Sequence, residues 1–121
     1  MKILLVDDDA FLRDMYATKF TEAGHEVLVA SGGQAGLGVI EESGPFDVIL
    51  LDMVMPGLGG VDFLKEIKKL DDTSSTKCIV LSNQGEESDK QIASEAGAVA
   101  YIVKAESIPS EVVAEVEKVA K

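Results

Sequence analysis

Short runs of consecutive apolar residues alternate with stretches of helical spacing along the whole chain. Five runs stand out: Ile3 to Val6, Val27 to Val29, Val48 to Leu51, Cys78 to Leu81 and Val99 to Val103. They are rich in β-branched residues, and apolarity on successive rather than alternate positions predicts strands covered on both faces, as in a parallel sheet. From Ala10 to Ala23 the apolar positions are Phe11, Leu12, Met15, Tyr16, Phe20 and Ala23. This predicts a helix capped by Asp8 or Asp9 and stopped by Gly24. Gly60 to Leu70 predicts a second, with Phe63, Leu64, Ile67 and Leu70 on its apolar face. Near Ser107 to Ala120, Ser107 is available as a cap, Pro109 falls in the first turn, and Val112, Val113, Val116 and Val119 share one side. Two further segments carry weaker patterns. Gly33 to Glu42 contains Gly36 and Gly38, each costing ~1 kcal/mol in a helix interior. Glu86 to Ala96 offers Ile92 as its large apolar group, with Ala93 and Ala96 beside it, which predicts a loosely held helix.

Strand and helix alternating five times predict an α/β domain spanning residues 1–121. Its expected form is a doubly wound five-stranded parallel sheet of order 2-1-3-4-5 with helices on both faces. The order reverses between the first and third strands, and ligands of such sheets bind there, at the carboxyl ends.

Composition narrows the partners. The 121 residues carry 22 acidic against 11 basic side chains, a formal net charge of -11, which repels nucleic-acid backbones and anionic lipid surfaces. Direct nucleic-acid binding and membrane association are therefore not expected, and no apolar run is long enough for a membrane span. A cytoplasmic location is expected. One cysteine and one histidine, Cys78 and His25, rule out an internal disulfide and a Cys/His zinc set, so any metal must be held by oxygen.

Asp7 and Asp8 follow the first strand, Asp52 the third, Ser82 closes the fourth and Lys104 the fifth. The predicted topology gathers all five at the switch point. Two unit charges 4 Å apart interact by about 4 kcal/mol at an effective dielectric near 20, so three adjacent carboxylates call for a cation. Mg²⁺ suits an oxygen-only set. Beside it, a free carboxylate can act as nucleophile toward phosphorus, with Lys104 and Ser82 neutralising phosphoryl oxygens.

Four segments then match a family: Ile-Leu-Leu-Val-Asp-Asp (3–8), Val-Ile-Leu-Leu-Asp-Met-Val-Met-Pro-Gly (48–57), Ile-Val-Leu-Ser-Asn (79–83) and Tyr-Ile-Val-Lys-Ala (101–105). Over its whole length the chain resembles the receiver domains of two-component response regulators, of the single-domain chemotaxis type, whose fold is flavodoxin-like. The resemblance implies that Asp52 accepts phosphate from a sensor kinase's phosphohistidine. It implies that Mg²⁺ is held by Asp8 and Asp52 directly, by Asp7 mainly through water, and by the backbone carbonyl of Val54. It makes Ser82 the strand-four hydroxyl, Tyr101 the aromatic switch and Lys104 the strand-five lysine. The implied partners are a sensor histidine kinase or phosphotransfer protein, and a downstream protein that docks on the fourth helix, fifth strand and fifth helix. The implied state is a monomer or a phosphorylation-dependent dimer. The sequence departs from the family at Ala105, where Pro after a cis peptide is usual, and a cis bond without Pro costs ~2.5 to 4 kcal/mol. It departs again at Asn83, where a small residue is usual.

Other readings are weaker. A phosphatase of the haloacid-dehalogenase type, with an aspartyl-phosphate intermediate, needs an aspartate at the position of Val54. A flavodoxin-like electron carrier needs phosphate donors after the first strand, where this chain has acids. The expected role is therefore a phosphoacceptor that promotes its own transfer and slow dephosphorylation, and not an enzyme in the usual sense. A receiver belonging to a longer transcription factor or hybrid kinase is also compatible with the sequence. Cys78 reads as a buried small hydrophobe and His25 as a solvated turn residue without a partner. Pro56 and Gly57 make the Met53-Val54-Met55 run part of a turn leading to the third helix, while Glu41-Glu42 and Asp71-Asp72 read as solvated charge.

Overall fold

The computed structural model describes residues 1–70 and 75–120, so the expectation for Asp71 and Asp72 lies outside the described residues. Five strands, β1 (Lys2–Val6), β2 (Glu26–Ala30), β3 (Val48–Leu51), β4 (Lys77–Ser82) and β5 (Ala100–Val103), pair in parallel in the order β2-β1-β3-β4-β5. They alternate with α1 (Ala10–Glu22), α2 (Gly33–Ser43), α3 (Gly60–Lys68), α4 (Glu87–Glu95) and α5 (Pro109–Ala120). The doubly wound sheet predicted from the apolar pattern is the observed one.

Its register explains the site. Val6 pairs with both Ala30 and Leu51, Leu51 with Val80, and Ser82 with Val103. The carboxyl ends of β1, β3, β4 and β5 thus form one ragged edge, and the residues just beyond them face a common space. The central strands β1 and β3 are almost wholly buried because successive side chains enter two different cores. Leu4, Val6, Ile49, Leu51 and Val80 meet Ile40, Phe63, Leu64, Ile67 and Ala93 on the side of α2, α3 and α4. Ile3, Leu5, Val48, Leu50, Ile79 and Leu81 meet Tyr16, Phe20, Val112, Val113 and Val116 on the side of α1 and α5. Each fully buried Leu, Ile or Phe contributes ~1.5 to 3 kcal/mol of apolar transfer, so both cores pin the strand ends that carry the site.

Several local expectations are corrected. Phe11 is 77% exposed, whereas its neighbour Leu12, in the same turn of α1, packs against the core. Asp9 is the cap of that helix, its Oδ1 accepting from Leu12 N at 3.1 Å, which leaves Asp8 free of that duty. In α4, Ile92 is 46% exposed, and the helix is seated by Ala93 and, at its C-cap, Ala96. Ile108 and not Ser107 holds the cap of α5: its carbonyl accepts from Val112 N at 3.1 Å, and its N–H donates to Glu111 Oε1 at 2.9 Å. His25 is not a solitary turn residue. Its Nε2 lies 2.7 Å from Glu117 Oε2 on α5, and its Nδ1 lies 3.1 Å from the N-terminal amine. The Lys104–Ala105 peptide is trans, since the cis bond of the described chain is Gly44–Pro45, and residues Lys104–Glu106 make a 3₁₀ turn. Without proline the amide keeps its ordinary trans preference and the loop takes another shape. Gly36 brings α2 against the sheet, for a Cβ there would stand 3.1 Å from the Phe63 ring and 3.2 Å from Val6 Cγ2. None of the described helices is long and apolar enough to cross a membrane.

Candidate functional site

The first strand delivers three consecutive aspartates, and the backbone sorts them. Asp7 N donates to Ala30 O at 3.1 Å, extending the sheet by one residue and turning the Asp7 side chain inward, where it is buried. Asp7 Oδ1 accepts from Asp9 N at 2.9 Å and Oδ2 from Lys104 Nζ at 2.7 Å. Asp8 points to solvent. Across the switch point Asp52 N donates to Val6 O at 3.2 Å, so Asp52 leaves β3 level with Asp7. One oxygen from each of Asp7, Asp8 and Asp52 lies within 4.8 Å of the others.

Asp52 is held at both oxygens. Oδ1 accepts from Ser82 Oγ at 2.9 Å and Val54 N at 3.2 Å, and Oδ2 accepts from Lys104 Nζ at 3.0 Å. Lys104 is therefore shared between two carboxylates from different strands. Burial alone would lower its pKa, but the hydrogen bonds and charges of Asp7 and Asp52 outweigh that and raise it above the ordinary lysine value. The ammonium stays charged throughout the neutral range. It offsets one of three negative charges and leaves a formal two, the charge of one divalent ion. Every donor is an oxygen and one carboxylate is open to solvent, so the residues fit a hard cation such as Mg²⁺.

A second chain of contacts leaves the site through β4 and β5. Ser82 Oγ, which donates to Asp52, also accepts from Gln84 N at 3.3 Å. Tyr101 donates its hydroxyl to Gln84 O at 2.6 Å. Burial raises the Tyr101 phenol above its ordinary pKa, a hydrogen bond with Ser82 pulls it down, and the nearby carboxylates of Asp89 and Asp52 add to the rise. Ser82 and Gln84 thus link Asp52 to the aromatic ring of β5.

The structure brings Asp7, Asp8, Asp52, Ser82 and Lys104 together as the strand ends predict, and joins Tyr101 to them through Gln84. Val54 places its N–H on Asp52 while its side chain is 57% exposed, and Asn83 lies in solvent. Two further residues were missed by sequence reasoning. Arg13, one turn into α1, donates Nη1 to Asp7 O at 3.0 Å and so ties the helix to the aspartate turn. Tyr16 is buried with its phenol in the field of the site: burial raises its pKa, Lys104 lowers it and Asp7 raises it again. A basic side chain one turn past an acid-rich cap signals the first, but a tyrosine within an apolar stripe carries no comparable signal.

Comparisons with known proteins agree with this geometry. The family model for the response regulator receiver domain matches residues 3–117. The chain is 39% identical to the phosphate regulon transcriptional regulatory protein PhoB of Pseudomonas aeruginosa, over 97% of this chain and 50% of that protein. It is also 39% identical to the chemotaxis protein CheY of Thermotoga maritima, over 99% of this chain and 98% of that one. It therefore spans half the length of the first relative and nearly all of the second. Among solved structures, the chemotaxis protein CheY4 of Vibrio cholerae superposes with a TM-score of 0.91 at 29% identity, covering 98% of this chain and 97% of that one. The fold, the acidic pocket and these matches lead to one conclusion: the chain belongs to the receiver domains of two-component response regulators.

Proposed function

We propose that Asp52 is the phosphoacceptor, taking a phosphoryl group from the phosphohistidine of a sensor histidine kinase or phosphotransfer protein. The observation that carries this reading is that, among the described residues, Asp52 alone combines access with contacts to both Lys104 and Ser82. Its side chain is 13% exposed against 3% for Asp7. A carboxylate oxygen attacks phosphorus, an O–P bond forms as the P–N bond breaks, and the electron pair passes to the imidazole nitrogen. Lys104, charged and already on Asp52, receives one phosphoryl oxygen. Ser82 turns its hydroxyl from Asp52 Oδ1 to another.

Asp8, Asp52 and the Val54 carbonyl would hold Mg²⁺ directly. Asp7, whose oxygens are engaged by Asp9 N and Lys104, would do so through water. When bound, the ion neutralises charge on the phosphoryl oxygens. Movement of Ser82 alters its contacts with Gln84 and Tyr101, and α4, anchored by two small residues, follows. The face of α4, β5 and α5 then binds a downstream protein, and the chain acts as a monomer or as a dimer formed on phosphorylation. The domain works in the cytoplasm and touches no nucleic acid itself.

The test is to incubate the protein with Mg²⁺ and a small phosphodonor such as acetyl phosphate and to locate the added phosphate by mass spectrometry. Asp52 should be the labelled residue, Asp52→Asn should take up none, and Asp8→Ala should weaken the dependence on metal. Continued labelling of Asp52→Asn at a single residue would overturn the assignment.

A further inference from the structure

Two shallow concavities meet on the face of α4, β5 and α5, sharing Lys90 and Tyr101. The first is lined by the apolar side chains of Ala93, Ala98, Ala100 and the Tyr101 ring, with Lys90 and Ser94 adding polar surface and Val99, 55% exposed, beside them. The second is bordered by three carboxylates, Glu106 on the 3₁₀ turn and Glu111 and Glu115 one turn apart on α5. Among the described residues lining the two, Lys90 is the only cation, and it stands 3.9 Å from Glu87. Glu111 Oε1 accepts from Ile108 N at 2.9 Å, and Glu106 and Glu115 are exposed. The groove thus joins a small apolar seat to an acidic rim.

Resting on the assignment of this face as the output surface, we propose that its occupant is a basic segment of a partner protein, one that places an apolar side chain in the seat and lysines or arginines along Glu106, Glu111 and Glu115. Charge decides between occupants. A symmetric contact with a second copy would bring the same carboxylates face to face across the two-fold axis, where like charges repel. An acidic partner meets the same repulsion, reinforced by the net charge of -11. A basic segment is steered toward the groove and paired on arrival.

The experiment uses a short synthetic amphipathic peptide with leucines on one face and flanking lysines, and its counterpart with every lysine replaced by glutamate. Each is titrated into the whole chain with Mg²⁺ and beryllofluoride, followed by amide NMR shifts. The lysine peptide should bind with shifts at Tyr101, Ser107, Glu111 and Glu115, and the glutamate peptide should not bind. The pair Glu106→Lys and Glu115→Lys should raise its Kd by about tenfold, whereas Glu41→Lys with Glu42→Lys on α2, an equal change in net charge, should raise it less than about twofold. Retained labelling of Asp52 in the variants shows that they are folded. Equal weakening by the two pairs overturns the proposal, as does binding of the glutamate peptide or self-association of the beryllofluoride form through this face. Shifts caused by beryllofluoride alone test the output assignment separately. If they reach Tyr101 and α4 while the lysine peptide fails to bind, the charge inference falls by itself; if they do not and the peptide still seats in the groove, the output assignment falls and the basic occupant stands.

Discussion

Asp7, Asp8 and Asp9 are chemically identical and differ only in what the turn after β1 does with each: one is buried on a lysine, one is open to solvent and one caps a helix. Residue identity at the strand ends was legible because parallel strands deliver their next residues to one edge. The partners of His25 were not, since Glu117 lies 92 positions away and no local pattern announces it. Val54 has the sharpest residue-level consequence. With Asp52 as the proposed phosphoacceptor, Val54, whose N–H donates to Asp52 Oδ1, sets an exposed side chain beside the phosphoryl position that offers two methyls and no hydrogen-bonding group, while Gln84 can orient water without acting as a base. Val54→Asn should therefore shorten the lifetime of the phosphorylated form, measured as phosphate loss under constant Mg²⁺; an unchanged or longer lifetime would show that Val54 does not limit water access. Cys78 yields a pH prediction. Burial pushes its thiol up to about 11, so between about pH 9 and 11 the unfolded chain loses a proton that the folded chain keeps. Stability falls with rising pH across that window by roughly 2 to 3 kcal/mol. Lys104 adds a loss that begins above the free-lysine value of about 10.4, as pH climbs through its raised folded pKa. Urea midpoints of wild type should drop through this range, and Cys78→Ala should remove the earlier part of the drop.

Among the elements, α2 separates two glycines that look alike in sequence. A Cβ at Gly36 would press the Phe63 ring and Val6, whereas one at Gly38 would meet nothing within 4 Å. Gly36→Ala should cost ~1 to 3 kcal/mol through overpacking, and Gly38→Ala should stabilise by ~0.5 to 1 kcal/mol by stiffening the unfolded chain. Equilibrium urea unfolding of the two variants should move in opposite directions. Periodicity predicted that α2 exists but could not say which glycine is a contact, because that depends on α3 and β1. The same limit explains Phe11 and Ile92. Spacing marks a side chain as apolar, and only the docked surface decides whether anything covers it.

For the whole molecule, alternation made the parallel α/β sheet readable, and the common order of five such strands then gathered the five chemical groups. The conformation after Lys104 was not readable, since Ala105 constrains its backbone far less than proline would. Three carboxylates facing one ammonium leave the folded chain with a charge deficit that the unfolded chain, with Asp52 far from Asp7 and Asp8, lacks. Mg²⁺ should therefore raise the melting temperature, with about 2.7 kcal/mol of added stability at a hundred times its Kd. Asp8→Ala should flatten that response in a thermal-shift titration. An equal response in the variant would place the ion elsewhere.

The thin anchorage of α4 also bears on how such a domain diversifies. Ala93 is its buried residue and Ala96 is buried at its C-cap, and neither brings much volume to the core, so most of the helix is free of the packing constraints that govern α1, α3 and α5. Its outward positions can be exchanged with little change in folding free energy. On the proposed function, a lineage can thus rewrite the proposed docking face while the acidic site at the strand ends stays intact, and acquire a new correspondent without first losing the fold.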